Sequence, residues 1–300
     1  MLHSAILAYD MRMILTALVG TEILAQRLAD PDWAVFDCRH DLTDPARGRA
    51  EYTTSHIPGA RFLHLDDDLS APKTGTNGRH PLPDPRVLME KLGRMGVDSR
   101  KQVVAYDAQG GMVAARLWWL LRALGHLPVA VLDGGWNQWI SEGRAQTAEA
   151  PRPQPTRFSG RVVDSSWVNA EFVRARLDDP GTVLVDARAP DRFRGQNETL
   201  DPVGGRIPGA YNRYFRDNLD ASGRFKTPEA LREEFGTVLG PTRAENVVNY
   251  CGSGVSACHN LLAMELAGLR GARLYPGSWS EWCTDPSRPV ESGEPKARER

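Results

Sequence analysis

The sequence predicts an α/β protein made of two tandem repeats, each a largely parallel sheet flanked by helices. Three observations predict this fold class. The 300 residues are 41% apolar, which is enough for packed cores, and this length is typical of two domains. Short β-prone runs alternate with helical stretches in each half, which favours parallel strands joined by crossover helices. The two halves also match each other segment by segment, so we expect an internal duplication.

Four pairs of matching segments carry the duplication. The run ending at Asp37 matches the run ending at Asp186, 149 residues later. The other pairs are HIPGAR with RIPGAY (56–61 and 206–211), VVAYDAQGG with VVNYCGSGV (103–111 and 247–255) and LDGGWNQW with YPGSWSEW (132–139 and 275–282). The pairs keep the same order at a nearly constant offset, which chance does not produce. We therefore predict an N-terminal domain over 14–147 and a C-terminal domain over 161–292.

The segment 148–160 is predicted to be the linker between the domains. It holds three prolines, Pro151, Pro153 and Pro155, which favour an extended chain. The tract Ser70–Pro85 is similarly rich in Gly and Pro, so we predict a surface loop that is a candidate cover for the cleft. Near the start, the apolar run Met13–Val19 is too short to span a bilayer.

Six β-prone runs predict the strands of the two sheets. They are AVFDCR, VVAYD and VAVLDG in the first half and TVLVDAR, NVVNY and ARLYPG in the second. After NVVNY, leucines and Met264 recur at helical spacing, with Gly268 as the predicted stop. A cysteine loop thus connects a strand to a helix in the second half.

Charge and cysteine usage exclude several classes of function. The chain carries 37 basic and 38 acidic residues, so it shows no electrostatic footprint for nucleic acid or an anionic membrane. Its four cysteines form no C-x-x-C pair, so neither a zinc knuckle nor a disulfide framework is indicated. We therefore predict a cytoplasmic protein that acts on small molecules, with no metal, no cofactor, and no nucleic-acid or membrane partner.

The loop CGSGVS places Cys251 between a buried strand and a helix. Gly252 and Gly254 have no Cβ, so the backbone can curl and turn several N–H groups inward, and Ser256 is a good N-cap for the helix. Such a loop binds an anion and favours the thiolate form of a cysteine. The alternative is a small buried cysteine at a strand end. We predict that Cys251 is a nucleophile.

Taken as a set, these motifs resemble those of the tandem-domain rhodanese-type sulfurtransferases. The resemblance covers about Leu18 to about Val290 and rests on the D-C/A-R strand end, the I-P-G-A turn, the cysteine loop and the G-G/S-W turn. It implies two rhodanese-like domains and a persulfide on Cys251, with cyanide or a thiol as acceptor, including a protein thiol such as that of a thioredoxin. Asp107 stands at the matching position of the first half, so the N-terminal domain is expected to be catalytically silent.

The resemblance also indicates which of two sulfur donors the protein uses. Members that prefer thiosulfate usually carry Arg and Lys where this chain has Gly252 and Ser253. A cationic pair suits a dianion, whereas Gly-Ser suits the carbonyl and thiol end of 3-mercaptopyruvate. We therefore predict 3-mercaptopyruvate as donor, with thiosulfate as the alternative. The chain departs from the 3-mercaptopyruvate pattern in one respect, because it lacks a further arginine before the second I-P-G turn, where Arg206 follows two glycines.

Further site residues follow from the resemblance. In members with a Cys-Ser pair, the serine works with a histidine and an aspartate of the silent domain, and His56 and Asp44 match these here. The alternatives are a structural turn histidine and a solvated carboxylate. Arg192 matches the arginine that binds the donor's carboxylate, and Arg188 is its neighbour. The predicted binding site is completed by loop residues Gly252, Gly254, Val255 and Ser256.

Two other functions are disfavoured by single residues. A cysteine phosphatase uses the same kind of loop but requires an arginine at the position of Ala257. A non-catalytic rhodanese-like binding module commonly lacks the cysteine, whereas Cys251 is present. We interpret Cys258, Cys38 and Cys283 as buried packing residues. His259 is expected to face solvent or a neighbouring loop.

Overall fold

The computed structural model describes residues 14–294, so Met13, the first residue of the apolar run Met13–Val19, lies outside it. The described residues form nine strands and ten α-helices. The strands are β1 (Leu18–Val19), β2 (Trp33–Asp37), β3 (Arg61–Phe62), β4 (Gln102–Tyr106), β5 (Val129–Leu132), β6 (Val183–Asp186), β7 (Tyr211–Asn212), β8 (Val247–Tyr250) and β9 (Arg273–Leu274). The helices are α1 (Thr21–Arg27), α2 (Arg47–Thr54), α3 (Pro85–Arg94), α4 (Ala114–Ala123), α5 (Gly135–Ser141), α6 (Ala170–Arg174), α7 (Pro190–Phe193), α8 (Pro228–Leu239), α9 (Ser256–Leu266) and α10 (Ser278–Trp282).

The strands form two sheets whose pairings are all parallel. The first sheet has the order β1-β5-β4-β2-β3 and the second the order β7-β6-β8-β9. Strands β2 to β5 of the first sheet therefore have the same relative order as β6 to β9 of the second. The counterpart of β1 is shorter, a parallel bridge between Trp167 and Leu274. The predicted α/β class, with two parallel sheets flanked by helices, is confirmed.

Each of the six predicted β-prone runs contains a strand. The remaining strands, β1, β3 and β7, have two residues each, which is too short for a periodic sequence signal. Helix α9 begins at Ser256, so this serine is the first helical residue rather than the N-cap, and the cap position is Val255, whose side chain makes no capping bond. Gly268, predicted as the stop, follows the end of the helix at φ +73°.

The two repeats share one hydrophobic core. Helix α4 of the first repeat packs on α9 of the second, and the largest apolar cluster includes Leu117 and Leu121 together with Leu261 and Leu262. An apolar interface of this kind holds two domains in a fixed relation. The predicted linker 148–160 contains no helix or strand, and Thr156 N–H donates to Gly93 O of α3 at 2.8 Å. The proposed domain boundaries remain predictions.

None of the helices between residues 14 and 294 has the length and apolarity that a membrane span requires.

Candidate active site

Cys251 lies directly after β8, at the carboxyl end of the central strands of the second sheet. Its Sγ accepts the backbone N–H groups of Ser253 at 3.4 Å and Gly254 at 3.2 Å, and the residue is 2% exposed. Gly254 has φ +75°, and a Cβ there would lie 2.4 Å from Pro276 O, so this turn requires glycine. The loop therefore directs N–H donors at the sulfur, as a site that holds an anionic sulfur must.

Gly252 serves a different purpose from Gly254. Its backbone lies outside the left-handed region, and a Cβ there would lie 2.7 Å from Arg79 Nη2 and 3.6 Å from Arg192 Nη1. The missing side chain thus leaves room for two guanidinium groups beside the loop. Arg79 comes from the first repeat and Arg192 from the second.

The matching loop of the first repeat shows what this backbone conformation binds. The Asp107 carboxylate, at the position equivalent to Cys251, accepts four backbone N–H groups. These come from Gln109 at 2.7 Å, Gly111 at 2.9 Å, Val113 at 2.8 Å and Ala114 at 2.9 Å. Burial raises the pKa of Asp107, and the four N–H bonds oppose that rise. The loop of the first repeat, predicted to be catalytically silent, is thus an anion-binding loop filled by its own side chain.

Ser253 is hydrogen-bonded to a histidine of the first repeat. Its Oγ lies 2.7 Å from His80 Nδ1, and His80 Nε2 lies 3.5 Å from Asp66 Oδ1. Burial lowers the pKa of His80, which favours the neutral ring. A neutral ring with its proton on Nε2, facing Asp66, accepts the Ser253 hydroxyl on Nδ1. The three side chains form a serine–histidine–aspartate row beside Cys251.

The tract Ser70–Pro85 carries His80 across to the second repeat. Arg79 N–H donates to Ser280 Oγ at 3.0 Å, and Gly78 approaches so closely that a Cβ there would lie 2.8 Å from Gly277 O. From α4, the buried Arg116 donates to Gly254 O at 3.1 Å and to His80 O at 3.0 Å. The loop expected to cover the cleft therefore supplies site residues and is fastened to the catalytic loop.

The two arginines at the site are held by carboxylates. Arg192 Nη2 lies 2.8 Å from Glu198 Oε1 and 3.3 Å from Asp201 Oδ2, and Arg79 also pairs with Asp201. Asp201 therefore sets the two guanidinium groups side by side. Both reach a cavity of about 170 Å³ above the cysteine. The cavity is lined by Leu42, Arg79, Met112, Ala187, Arg188, Ala189, Arg192, Leu200, Tyr214, Phe215, Cys251, Gly252, Ser253, Val255 and Ser256.

The structure does not bring His56 or Asp44 to this cavity. His56 is fully buried, with Nδ1 2.7 Å from Tyr52 O and Nε2 3.1 Å from Glu149 O, so backbone carbonyls engage both ring nitrogens. Asp44 is exposed on the loop between β2 and α2. The histidine and aspartate that lie in a row with Ser253 are instead His80 and Asp66.

A signal for His80 is present in the duplication. Gly78-Arg79-His80 aligns with Gly223-Arg224-Phe225 in the second repeat, at an offset of 145 residues. In the first repeat, the loop that covers Cys251 carries a histidine, whereas the equivalent loop of the second repeat carries a phenylalanine. A difference of this kind between two repeats indicates a functional residue. His80 lies outside the I-P-G-A motif, on which the prediction of His56 rested, and so it was not predicted.

Arg188 has a structural partner in addition to its place on the cavity wall. It binds the Asp186 carboxylate through two nitrogens, donates to Gly205 O at 2.7 Å, and lies over the Trp279 ring at 4.8 Å. Arg39 repeats this arrangement in the first half, with Asp37 and Trp136 (4.4 Å). Because both repeats have the pair, Arg188 secures the strand end, whereas Arg192 is the arginine directed at the cavity.

The other cysteines have little thiolate character. Burial raises the pKa of Cys258 to about 12 and that of Cys283 to about 11, and it raises the pKa of Cys38 well above its ordinary value. His259 is buried rather than solvent-facing, and its Nε2 lies 2.9 Å from Gly110 O of the silent loop. Cys38, Cys258, Cys283 and His259 therefore pack in the interior and do not belong to the Ser253–His80–Asp66 row.

Comparisons with known proteins agree with the two-repeat architecture. The rhodanese-like domain family matches residues 21–142 and again 169–285. A probable 3-mercaptopyruvate sulfurtransferase of Pseudomonas aeruginosa is 49% identical over 279 residues, covering 92% of this chain and 98% of that protein. A putative thiosulfate sulfurtransferase of Mycobacterium tuberculosis is 36% identical, covering 92% and 96%. The 3-mercaptopyruvate sulfurtransferase structure from Leishmania major aligns with TM-score 0.80 at 27% identity, covering 90% of this chain and 74% of that one.

Proposed function

The chain belongs to the rhodanese-like domain family and is a sulfurtransferase, and from this premise we propose that it moves sulfur from 3-mercaptopyruvate, through a persulfide on Cys251, to a thiol or cyanide. One observation carries the choice of donor. Cys251, Ser253, Arg79 and Arg192 all line one cavity, and the Ser253 hydroxyl is hydrogen-bonded to His80. A ketone oxygen and a carboxylate of one small molecule fit these two sets of donors.

In the first half-reaction, the Cys251 thiolate attacks the thiol sulfur of 3-mercaptopyruvate. A sulfur–sulfur bond forms, the carbon–sulfur bond breaks, and its electron pair leaves as the enolate of pyruvate, which takes up a proton to become pyruvate. Negative charge develops on the ketone oxygen. The Ser253 hydroxyl has one proton, so it stabilises this charge by turning that proton from His80 Nδ1 to the ketone oxygen. Arg192 holds the carboxylate through paired N–H bonds, and Arg79 stands where it supplies a second cation.

In the second half-reaction, the acceptor attacks the outer sulfur of the Cys251 persulfide. The sulfur–sulfur bond breaks, its electron pair returns to the inner sulfur as the thiolate, and the acceptor leaves carrying one sulfur. The N–H groups of Ser253 and Gly254 lie within bonding distance of the inner sulfur and stabilise the returning negative charge. The product is thiocyanate from cyanide, or a persulfide from a thiol, including a protein thiol such as that of a thioredoxin.

The charge balance of the site favours a monoanionic donor over a dianion. The guanidinium groups of Arg79, Arg188 and Arg192 are matched by three carboxylates, those of Asp186, Glu198 and Asp201. The catalytic loop itself adds no cation. Desolvating thiosulfate, a compact dianion, needs a net positive site, whereas 3-mercaptopyruvate brings a single carboxylate.

Thiosulfate remains the second candidate donor because Arg79 and Arg192 both reach the space beside Gly252. We also propose a reducing compartment such as the cytoplasm, in line with four free cysteines.

The proposal is tested by donor kinetics and intact-protein mass measurement. We expect kcat/KM for 3-mercaptopyruvate to exceed that for thiosulfate by at least about tenfold. One added sulfur should appear on Cys251 after incubation with the donor and disappear with cyanide. Replacing Gly252 and Ser253 by Arg and Lys should shift preference toward thiosulfate. Equal use of both donors by the unmodified protein would contradict the proposed donor.

The variant Arg79→Gln tests whether Arg79 binds the carboxylate of the donor, and a control variant measures the effect of losing a positive charge elsewhere. We expect Arg79→Gln to raise KM for 3-mercaptopyruvate by about tenfold, because one charged partner of the carboxylate is lost. Arg224→Gln is the matched control, since Arg224 is the repeat counterpart of Arg79 and pairs with Glu142 away from Cys251. The role of Arg79 would be rejected if both variants changed KM equally.

A further inference from the structure

We infer that His40, His64 and Asp66 form a binding site for a divalent transition-metal ion of the zinc type, and that this ion controls the row ending at Ser253. The ligand atoms of these three side chains all lie within 4.8 Å of one another. Two imidazoles and a carboxylate are a donor set that Zn²⁺ prefers when a further position is left open to water.

The topology of the first sheet explains why these residues meet. His40 follows β2 and His64 follows β3, and the two strands are adjacent and parallel. Their carboxyl ends therefore lie at the same edge of the sheet, where the turn containing Asp66 begins. Asp68 fixes this turn by accepting the N–H of His64 at 2.6 Å. The cluster is thus built on strand ends rather than on a freely moving loop.

The two histidines have the surroundings of metal ligands. His64 Nε2 lies 2.9 Å from Pro45 O, and its Nδ1 accepts the N–H of Asp67 at 3.3 Å, so the proton resides on Nε2 and the lone pair on Nδ1. A metal ion on Nδ1 must displace this long N–H bond. An outer hydrogen bond to a backbone carbonyl is the usual way of fixing a ligating imidazole. His40 is 6% exposed, and its Nδ1 has no hydrogen-bond partner among the described residues. The nitrogen of His40 that faces the Asp66 carboxylate is Nε2, 3.8 Å from Oδ2, and the uncommitted Nδ1 leaves the ring free to turn a lone pair toward an ion held with His64 and Asp66.

Closing the site requires a small movement. Tetrahedral Zn²⁺ holds its ligands about 3.4 Å apart, so the side chains must approach by about 1 Å. Asp66 can move because its side chain is 23% exposed and bonded only loosely, with Lys73 Nζ at 3.4 Å and His40 Nε2 at 3.8 Å. Lys73 is itself 57% exposed, so a dication can displace it. Access is provided by an open cavity of about 790 Å³ lined by His64, Asp66 and Asp67 among others.

The shared carboxylate connects this site to catalysis. Asp66 Oδ1 lies 3.5 Å from His80 Nε2, and His80 holds Ser253. A metal ion that takes the Asp66 carboxylate removes the negative charge that faces His80, so Zn²⁺ should slow sulfur transfer. This coupling rests on the proposed role of His80, whereas metal binding itself does not.

Metal binding is tested on the full chain with Co²⁺ and Zn²⁺ alone, after removal of metals by a chelator. We expect Co²⁺ to produce a visible d–d absorption that Zn²⁺ displaces, and this absorption to persist in Cys251→Ser. His40→Gln and His64→Gln should each weaken affinity by about 10-fold to 100-fold. His126→Gln, a buried histidine outside the cluster, is the matched control and should bind like the unmodified protein. Absence of binding, binding lost in Cys251→Ser, or full affinity in both cluster variants would overturn the site.

Two further measurements do not depend on the folding of a variant. An anomalous difference map from crystals of the unmodified protein soaked in Zn²⁺ should show a peak between His40, His64 and Asp66, and a peak at Cys251 alone would overturn the site. Turnover with each donor should fall by at least about fivefold at saturating Zn²⁺, on the scale of the coupling between sites in other proteins. For the unmodified protein and for each histidine variant, the turnover rate with Zn²⁺ is compared with the rate of the same protein without Zn²⁺. Confirmed binding with unchanged turnover would overturn the coupling and leave the site.

Discussion

His80 and His56 are both buried histidines of the first repeat, yet only His80 contacts the catalytic loop. His80 comes from a loop that crosses to the second repeat and meets the Ser253 hydroxyl at 2.7 Å. His56 stacks on Tyr52 with ring centroids 4.0 Å apart, and its ring nitrogens face the carbonyls of Tyr52 and Glu149. His80 can therefore exchange a proton with Ser253. His56 instead connects Tyr52 of helix α2 to Glu149 at the end of the first repeat.

The two histidines should therefore respond differently to the same substitution. We expect His80→Gln to lower kcat with 3-mercaptopyruvate by about 100-fold or more, the usual contribution of a positioned acid or base. His56→Gln should keep most of kcat but lower the free energy of unfolding by about 1 to 3 kcal/mol, because a buried carbonyl loses its partner. Steady-state kinetics and urea unfolding of both variants check this. A large loss of kcat in a fully stable His56→Gln protein would restore the assignment made from the I-P-G-A motif.

At the scale of single elements, the two strand–loop–helix units show one backbone design used for two purposes. The loop after β4 leads into α4, and its N–H groups bind the Asp107 carboxylate. The loop after β8 leads into α9, and its N–H groups face the Cys251 sulfur. A helix start and inward N–H groups favour an anion in both loops. The first repeat fills the position with a carboxylate that satisfies four backbone N–H groups, while the second repeat places a sulfur there, which we propose to be the nucleophile.

Substitutions in the two loops should separate stability from turnover. Asp107→Asn places an amide NH₂ against backbone N–H donors, so we expect a loss of about 2 to 4 kcal/mol in the free energy of unfolding with more than half of turnover retained. Cys251→Ser should abolish turnover at near-unchanged stability. Asp133→Asn is the control for Asp107, because Asp133 accepts one loop N–H, that of Phe225 at 2.9 Å, and an amide oxygen can replace it. Similar losses of turnover in Asp107→Asn and Cys251→Ser would refute the silent-domain interpretation.

In the whole molecule, each repeat sends an equivalent loop to the strand–helix loop of the other repeat. The first repeat places His80 on the catalytic loop of the second. The second repeat places Phe225 on the silent loop of the first, where a Cβ at Gly111 would lie 3.6 Å from the Phe225 ring. His259 of α9 contacts both of these segments: its ring stacks on Phe225 with centroids 4.5 Å apart, and its Nε2 is hydrogen-bonded to Gly110 O. The interface is therefore continuous from the hydrophobic core to both loops.

The burial of His259 makes the stability of this interface depend on pH. Burial lowers the pKa of His259 to about 4, whereas the unfolded chain has a value of about 6.5. Between these values the unfolded state binds a proton that the folded state does not, so the free energy of unfolding falls as pH drops from about 6.5 to about 4. The shift corresponds to a loss of up to about 3 kcal/mol. Above about pH 6.5 this residue adds no pH dependence.

Urea unfolding at a series of pH values checks the contribution of His259. His259→Gln keeps a donor for Gly110 O and an acceptor for Asn218 but cannot be protonated, so its stability should fall less steeply below pH 6.5. Other buried histidines titrate equally in both proteins and cancel in the difference. Identical slopes for the two proteins would rule out this source of the pH dependence.

Local features of the sequence predicted the parallel strands, the anion-binding loop and the place of Cys251 at the start of that loop. Each of these depends on residues within a few positions of one another, such as a β-prone run, two glycines and a helical periodicity. The two-residue strands β3 and β7 lack such a signal, because their pairing comes from neighbouring strands rather than from their own composition. Ser256 was predicted as a cap from its residue type, and the structure begins the helix one position earlier than that assignment requires.

The duplicated α/β fold and the loop that holds Cys251 could be predicted from sequence alone, because repetition and loop composition are features of contiguous residues. Which side chains surround Cys251 depends on the tertiary structure. His80, Arg79 and Asp66 lie more than 170 positions before Ser253 in the chain. From the second repeat, Asp201 pairs with both Arg79 and Arg192. Their meeting depends on how α4 packs against α9 and on where a loop crosses the cleft, and local sequence carries no record of that geometry.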